Sequence, residues 1–466
     1  MESGKPYFFC GIGGSGMLPL ACIVRARGHE VAGSDRSLDQ QRLGDKFEFL
    51  RRLGIDLHPQ DGSGLTGAEQ VLVTSAAIEE TVPDVVRAKE LGCARLTRPQ
   101  LLAEMLNDAR FGIAVGGTSG KSTTTGMIGW ILHDVGLEPT VMNGAVMKNF
   151  VSEETPFASA LVGGGDMFVS EVDESDGSIS LYQPRVALLT NVTLDHASMD
   201  ELRRLFRGFA GKAETVVLNL DDEETRLLST EVPAERLVTY SLEDPSADVG
   251  GSDLVEQPLG VDFDVTDRRS GERAAVRLQV PGRHNASNAV AAVTAALAAG
   301  VGLGAAADAL SRFAGLRRRF EIVGAGNGVT VIDDFAHNPD KIAATLATLH
   351  AFPGRLLAFF QPHGFGPLRT MRQELIEGFA EQLAAEDVLI MSDPVYYGGT
   401  TDRSVGSGDI VAGVRAAGRT AEHIPDRAQC GERLAELARP GDRIVIMGAR
   451  DDTLSQFARD VLAAIG

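Results

Sequence analysis

FGIAVGGTSGKSTTTGMIGWILHDVG, residues 111–136, decides how the chain is built. The apolar run FGIAV reads as a buried strand that passes through glycines into a helix opening at Lys121, Ser122 and Thr123. Such a turn presents backbone N–H groups to phosphate oxygens. Lys121 can reach terminal phosphates and Ser122 can set its hydroxyl on Mg²⁺, chemistry that suits ATP. The usual spacing puts a glycine at position 115, where this chain has Val115. Taken alone, the string is either a phosphate loop or an ordinary strand-to-helix turn.

Outward from that stretch, apolar strand-like runs alternate with Ala/Leu-rich helical ones, the pattern of an α/β protein with largely parallel sheets. Before it come PYFFCGIG, HEVAGSD, VLVTSA (71–76) and ARLTR (94–98); after it come DMFVSEVD, RVALLTNV and TVVLNL. Residues 241–272 are rich in Asp, Gly and Ser and read as loops with short antiparallel strands. The alanine-rich NASNAVAAVTAALAAG reads as a helix, and GLRRRF at 315–320 marks a boundary. GVTVIDDF, RLLAFFQPH, DVLIMSDP and RIVIMGA give the last segment its own strands. For 466 residues the expectation is three α/β domains, at 1–108, 109–314 and 315–466.

Composition removes several classes of function. The chain is 44% hydrophobic and 23% charged, no apolar run is long enough to span a bilayer, and the N-terminus does not read as a secretory signal. A cytoplasmic protein without a membrane partner is the expectation. Forty-four basic against 64 acidic residues give a formal charge of −20, which repels nucleic acid over most of the surface. Cys10, Cys22, Cys93 and Cys430 lack zinc or disulfide spacing and read as reduced core residues.

Other strings could carry chemistry. VSEVDESDGS (169–178) and TNVTLDHAS (190–198) each follow a strand, so Glu171 and His196 could meet a metal near Lys121; the alternative is a solvated acidic loop and a helix-start histidine. GIGGSGM (11–17) fits G-x-G-x-x-G at Gly11, Gly13 and Gly16, with Asp35 at the distance where an acid meets a ribose. Nicotinamide dinucleotide, another nucleotide's diphosphate, or a purely structural turn all fit it. GRHNASNA (282–289) offers a helix cap or a contact to a base, and RRRFE (317–321) and DDFAHNPDK (333–341) read singly as a solvated patch and a turn.

In this order, GIGGSGM with GSD, GGTSGKSTTT, EVDESDGS, TNVTLDH, GRHNASNA, RRRFE, DDFAHNP, FQPHGF and IVIMGA resemble the Mur ligase family of ATP-dependent amide-bond-forming enzymes over essentially the whole length. The resemblance implies three domains: a Rossmann-like N-terminal domain for a UDP-sugar, a central P-loop ATPase domain with a parallel sheet, and a Rossmann-like C-terminal domain that brings the amine. It implies joining UDP-N-acetylmuramate to an amino acid through an acyl phosphate, with L-alanine the leading amine and murein tripeptide or another amine the alternative. ATP and Mg²⁺ are the implied cofactors, and the chain would be a monomer or dimer.

Residue by residue, the resemblance puts Gly117, Thr118, Ser119, Gly120, Lys121, Ser122 and Thr123 around the phosphates, and Ser122, Glu171 and His196 on metal. It assigns catalysis to Lys121, Glu171, His196 and Arg319. His284, Asn285 and Asn288 would meet the adenine end of ATP, with Arg319 and Asp334 reaching it from the last domain. Gly11, Gly13, Gly14, Ser15, Gly16, Met17, Ser34 and Asp35 would hold the UDP-sugar, and His337 and Arg369 would also bind substrate, Arg369 at an amino acid's carboxylate. Three departures stand out: FQPHGFGPLRTMR lacks an Arg-rich run after FQPH, leaving Arg369 or Arg372 to meet a carboxylate; MGARDDT replaces G-A-G-D; and Ser119 replaces a histidine.

Overall fold

The computed structural model describes residues 4–76, 78–193, 198–395, 402–451 and 453–466. These residues form three sheets, of five, ten and six strands, each packed by helices. By contact density the chain divides into two compact units: residues 1–255, 262–279 and 285–315, and residues 256–261, 280–284 and 316–466.

The first unit holds the first sheet, whose parallel strands run in the order Asp56–His58, Glu30–Ser34, Pro6–Cys10, Val71–Thr74, Ala94–Thr97. The strand order reverses beside Pro6–Cys10, and at its C-terminal end lies GIGGSGM, the place where such sheets leave a crevice. Phe8, Phe9 and Cys10 are fully buried, as a strand covered on both faces requires. Gly33 lets the neighbouring strand pass close to this turn: a Cβ there would stand 2.6 Å from the Phe9 carbonyl oxygen and 2.8 Å from Ile12 Cδ1.

In the second sheet Phe111–Gly116 lies between Met167–Glu171 and Val186–Leu189, all parallel, with Thr215–Asn219 and Leu237–Ser241 beyond. Three consecutive C-terminal strand ends therefore bring residues 116–120, 171–174 and 190–193 to one edge. The stretch after residue 241 differs from the loops and short strands expected of it. It contains Val249–Gln257, Gly260–Asp267 and Glu272–Leu278, of nine, eight and seven residues. The alternation was in the sequence: in GVDFDVTD the apolar Val261, Phe263 and Val265 are the buried positions. One hydrophobic core serves both sheets, joining Phe9, Ile12, Phe47 and Leu102 with Phe168, Val172, Phe206 and Phe209.

The second unit's sheet has the order Glu321–Gly326, Val329–Asp334, Arg443–Gly448, Leu356–Gln361, Val388–Met391, Thr420–His423. All pairs are parallel except the first, which is antiparallel with a register shift between Ile322 and Gly324. Its middle strands lead into residues 335–337, 449–451 and 362–363. The short edge strands Asp56–His58 and Thr420–His423 and the antiparallel Glu321–Gly326 have no counterpart in the expected strand list.

Of the cysteines, Cys10 and Cys430 are buried, whereas Cys22 and Cys93 are only half-buried, because their helix and loop positions reach the rim of the core. Burial pushes the Cys10 thiol up to about 12, with the Asp84 carboxylate adding to it. Replacing Gly33 with alanine is expected to lower the first unit's stability by about 1–3 kcal/mol through overpacking, read as a drop in its denaturant midpoint.

Candidate active site

The glycine turn at 117–120 leads directly into helix Lys121–Asp134. Gly117 (φ 121°) and Gly120 (φ 84°) occupy left-handed backbone that a side chain strains, and space forbids one as well. A Cβ at Gly117 would run into Thr190 Oγ1, and one at Gly120 would stand 2.5 Å from Asn288 Oδ1. The loop is pinned by the strand end beside it. Asn191 Oδ1 accepts from Ser119 N (2.9 Å) and Thr118 Oγ1 (2.8 Å), Asn191 Nδ2 donates to Ser119 O (3.0 Å), and Thr190 Oγ1 donates to the same carbonyl (2.6 Å).

At the helix start Ser122 Oγ donates to Glu171 Oε2 at 2.7 Å, and Gly144 leaves room for that carboxylate, since a Cβ there would collide with Glu171 Oε1. A hydroxyl and a carboxylate side by side are hard oxygen donors of the type a magnesium ion takes, with water or phosphate completing the octahedron. The donor set fits the ion, and Ser122 and Glu171 are the residues that would hold it. His196 lies outside the described residues.

Lys121 Nζ donates to Gly117 O at 2.5 Å and to Glu174 Oε2 at 2.8 Å. Glu174 is 4% exposed and Lys121 18%, so although Ser175 and Asp176 face solvent, one carboxylate of the acidic loop is the buried counter-charge of the lysine. Burial raises the Glu174 carboxyl and the Lys121 ammonium opposes that. Asp173 feels burial too, yet bonds from Ser175 and the charges of Lys121 and Arg98 hold it below the usual carboxylate range.

Asn288 belongs with this edge, because its Oδ1 accepts from Thr124 Oγ1 at 3.3 Å and its Nδ2 donates to Asn285 Oδ1 at 3.3 Å. The structure thus sets Asn288 against Gly120 of the glycine turn, with Asn285 hydrogen-bonded to it. Both lie on helix Arg283–Ala298. His284, on the same helix, is exposed.

In the N-terminal glycine turn, Gly14 and Ser15 are exposed and Gly16 is half-buried, whereas Met17 is 3% exposed and packs into the core. Ser34 is buried and donates to Asp84 Oδ2 (2.5 Å). Asp35 has both oxygens committed: Oδ2 accepts from Gly13 N (2.9 Å), while Oδ1 caps the short helix Arg36–Asp39 through Ser37 N (2.7 Å). Arg98 lies on this turn as well, with Nη1 2.9 Å from where a Gly16 Cβ would be.

In the second unit Asp334 is 9% exposed, accepting from Phe320 N (2.9 Å) and Thr345 Oγ1 (2.6 Å). The Arg319 guanidinium lies 4.3 Å over the Phe335 ring. His337 Nδ1 is 2.8 Å from Phe335 O, and its ring meets His363 edge-on at 5.2 Å. Burial drives the His337 pKa down to about 3, and the charges of Lys341, His363 and Arg319 push the same way. Arg369 is paired with Asp402 at 2.5 Å, and Arg372 stands 4.0 Å from Asp409. Sequence reasoning missed Glu174, Asn191, Arg98 and Arg318 as site residues. All four lie inside strings quoted above, but burial and pairing are not visible in a string.

Glu174→Ala strands the Lys121 charge, and a loss of about 3 kcal/mol is expected, measured by denaturant unfolding of the first unit. His337 has a folded pKa of about 3 against an ordinary 6.5. The unfolded chain therefore takes up the proton first as pH falls, so its contribution to stability is full above 6.5 and is lost between 6.5 and 3. His337→Gln is expected to flatten the acid limb of a stability–pH curve.

Three family models match the chain in order: "Mur ligase family, catalytic domain" over residues 6–110, "Mur ligase middle domain" over 115–296 and "Mur ligase, glutamate ligase domain" over 318–450. The chain is 38% identical over 462 residues to UDP-N-acetylmuramate–L-alanine ligase of Streptomyces coelicolor, covering 96% of this chain and 95% of that one. It is 34% identical over 462 residues to the protein of the same name from Agrobacterium fabrum, covering 96% and 94%. Its fold superimposes on the solved UDP-N-acetylmuramate-alanine ligase of Thermotoga maritima with a TM-score of 0.78 over 98% of both chains, at 24% identity. A murein peptide ligase from Psychrobacter arcticus gives 0.70 over 99% of both, at 25%. With family matches along its length and identity of this level across nearly all of it, the chain belongs to the Mur ligase family.

Proposed function

We propose that this chain is an ATP-dependent, ADP-forming ligase that joins the lactyl carboxylate of UDP-N-acetylmuramate to L-alanine, a cytoplasmic step in making peptidoglycan precursors. The observation that carries it is the single sheet edge where the phosphate loop, Lys121 and the Ser122–Glu171 oxygen pair meet. Full-length relatives named UDP-N-acetylmuramate–L-alanine ligase support the choice of substrates. Among the described residues no helix is long and apolar enough to cross a membrane.

In this reading a substrate carboxylate oxygen attacks the γ-phosphorus of ATP, ADP leaves, and the amine displaces phosphate from the acyl carbon. Backbone N–H groups of residues 117–123 cradle the phosphates, and Lys121 turns from Glu174 to the transferring phosphoryl group, neutralising its charge. Ser122, Glu171 and His196 are the assigned metal ligands; bound Mg²⁺ would neutralise the phosphate oxygens. His284, Asn285 and Asn288 are assigned to the adenine end of ATP, with Asn288 packed against Gly120 of the loop, and Arg319 and Asp334 are the further residues assigned to ATP. The turn at residues 11–17 takes the UDP-sugar's diphosphate through Gly14, Ser15 and Gly16. His337 offers a neutral imidazole to the incoming amine, and Arg369, once released from Asp402, takes the amino acid's carboxylate. Residues 1–108, 109–314 and 315–466 are the corresponding domains, in a monomer or dimer.

Phosphate release from ATP with Mg²⁺, UDP-N-acetylmuramate and L-alanine tests the reading, with murein tripeptide as a parallel arm; no release with any amine overturns it. Lys121→Gln is expected to lower kcat by about 10²–10³-fold and, because the buried Glu174 carboxylate then faces only a neutral donor, to lower the unfolding midpoint as well.

A further inference from the structure

In RRRFE the middle arginine behaves unlike a surface cation. Arg318 is 8% exposed. Its guanidinium donates from Nη2 to Gly448 O at 2.8 Å and from Nη1 to Asp451 O at 3.0 Å, with Nε 3.4 Å from the fully buried Asp333 carboxylate. Its own N–H donates to Glu321 Oε2 (2.9 Å), and its carbonyl accepts from Phe335 N (2.9 Å). Every one of these partners lies on the same side of the second unit's sheet as the ends of strands Val329–Asp334 and Arg443–Gly448.

The backbone here is strained on both sides of Arg319. Arg318 has φ 57° and Phe320 φ 50°, left-handed conformations that crowd Cβ against the backbone and that residues other than glycine rarely adopt. Two such residues bracketing a third turn its side chain to a direction that a relaxed strand would not give. Phe320 is held by Asp334 Oδ1 at 2.9 Å, and Arg318 by the bonds above. What emerges is Arg319, stacked 4.3 Å over Phe335 with Nη1 on the Arg318 carbonyl at 3.1 Å.

We propose that Arg318 is a positioning residue: its buried guanidinium clamps the 448–451 loop to the strained turn and so fixes the direction in which the Arg319 side chain leaves it. This rests on the ligase reading for the role of Arg319, but not for the clamp itself. The clamp also gives MGARDDT a purpose. Arg318 uses only the carbonyls of Gly448 and Asp451, while the Asp451 side chain is fixed by Gln361 Nε2 (2.9 Å) and Arg427 Nη1 (2.7 Å), making that loop a rigid anchor. A lysine at 318 would put all its donors on one nitrogen and could not keep the planar fork that sends Nη1 and Nη2 to separate carbonyls.

Two measurements test it in the full-length protein. With ¹⁵N-arginine labelling, the Arg319 Nε–H resonance, assigned by its disappearance in Arg319→Lys, is expected to be resolved and slow to exchange. In Arg318→Lys it should merge with the solvent-exposed arginines; an unchanged resonance overturns the clamp, whatever the chemistry. In turnover, Arg318→Lys is expected to lower kcat and kcat/KM together by about 10²-fold, the effect of a misplaced group. In an Arg319→Ala background the same change should have no further effect. Retained kcat, or two losses that multiply, overturns the proposal. An inactive wild-type protein would instead remove the ligase reading and leave the resonance test standing. If Arg318→Lys does not fold, Glu321→Ala, which frees the Arg318 N–H, takes its place in both measurements with the same expectations.

Discussion

The side-chain amide of Asn191 faces the peptide of Ser119 and bonds it in both directions, and the first unit's chemistry depends on that match. Without it the turn between Phe111–Gly116 and the following helix would be free to relax toward backbone more comfortable than that of Gly117 and Gly120. With it, the loop's peptide planes are fixed by a neighbouring strand rather than by a ligand. The parallel order of the sheet makes this arrangement available, since Val186–Leu189 runs beside Phe111–Gly116 and delivers Thr190 and Asn191 at loop height. Preorganisation of this kind spares any ligand of the loop the ordering cost at the moment of binding.

The lysine and the acidic loop form the second layer of the same site. A half-buried ammonium is tolerated because a nearly fully buried carboxylate lies 2.8 Å away, and the carboxylate is tolerated for the same reason. Each group makes the other's burial affordable, so neither can be read as a solvated side chain. The Ser122–Glu171 pair beside them repeats the theme with neutral and charged oxygen. Together they make an oxygen-rich, largely buried corner in which electrostatic effects are stronger than on the surface.

Much of this was legible in the residues. FGIAV followed by glycines and Lys121 specified a strand, a turn and a helix start, and each is where its pattern puts it, because apolar runs bounded by glycine leave few alternatives. The α/β class followed from alternation along the whole chain. What was not legible depended on partners distant in sequence. Asp35 looks like a ribose ligand until its two oxygens are found on Gly13 and Ser37, and Arg318 looks like one of three surface cations until its carbonyl partners appear 130 and 133 residues away. The strands after residue 241 were hidden for another reason: Asp, Gly and Ser depress strand propensity, while the inward-facing Val261, Phe263 and Val265 override it by packing.

The common core beneath the first two sheets has an engineering consequence. Phe47 and Leu102 on one side and Phe168 and Phe206 on the other belong to one continuous apolar mass, although family models divide the chain at about residue 110. Grafting the N-terminal sheet of a relative onto this chain would therefore set two separately evolved halves of a jigsaw against each other. A workable chimera has its seam nearer residue 315, where the first compact unit ends.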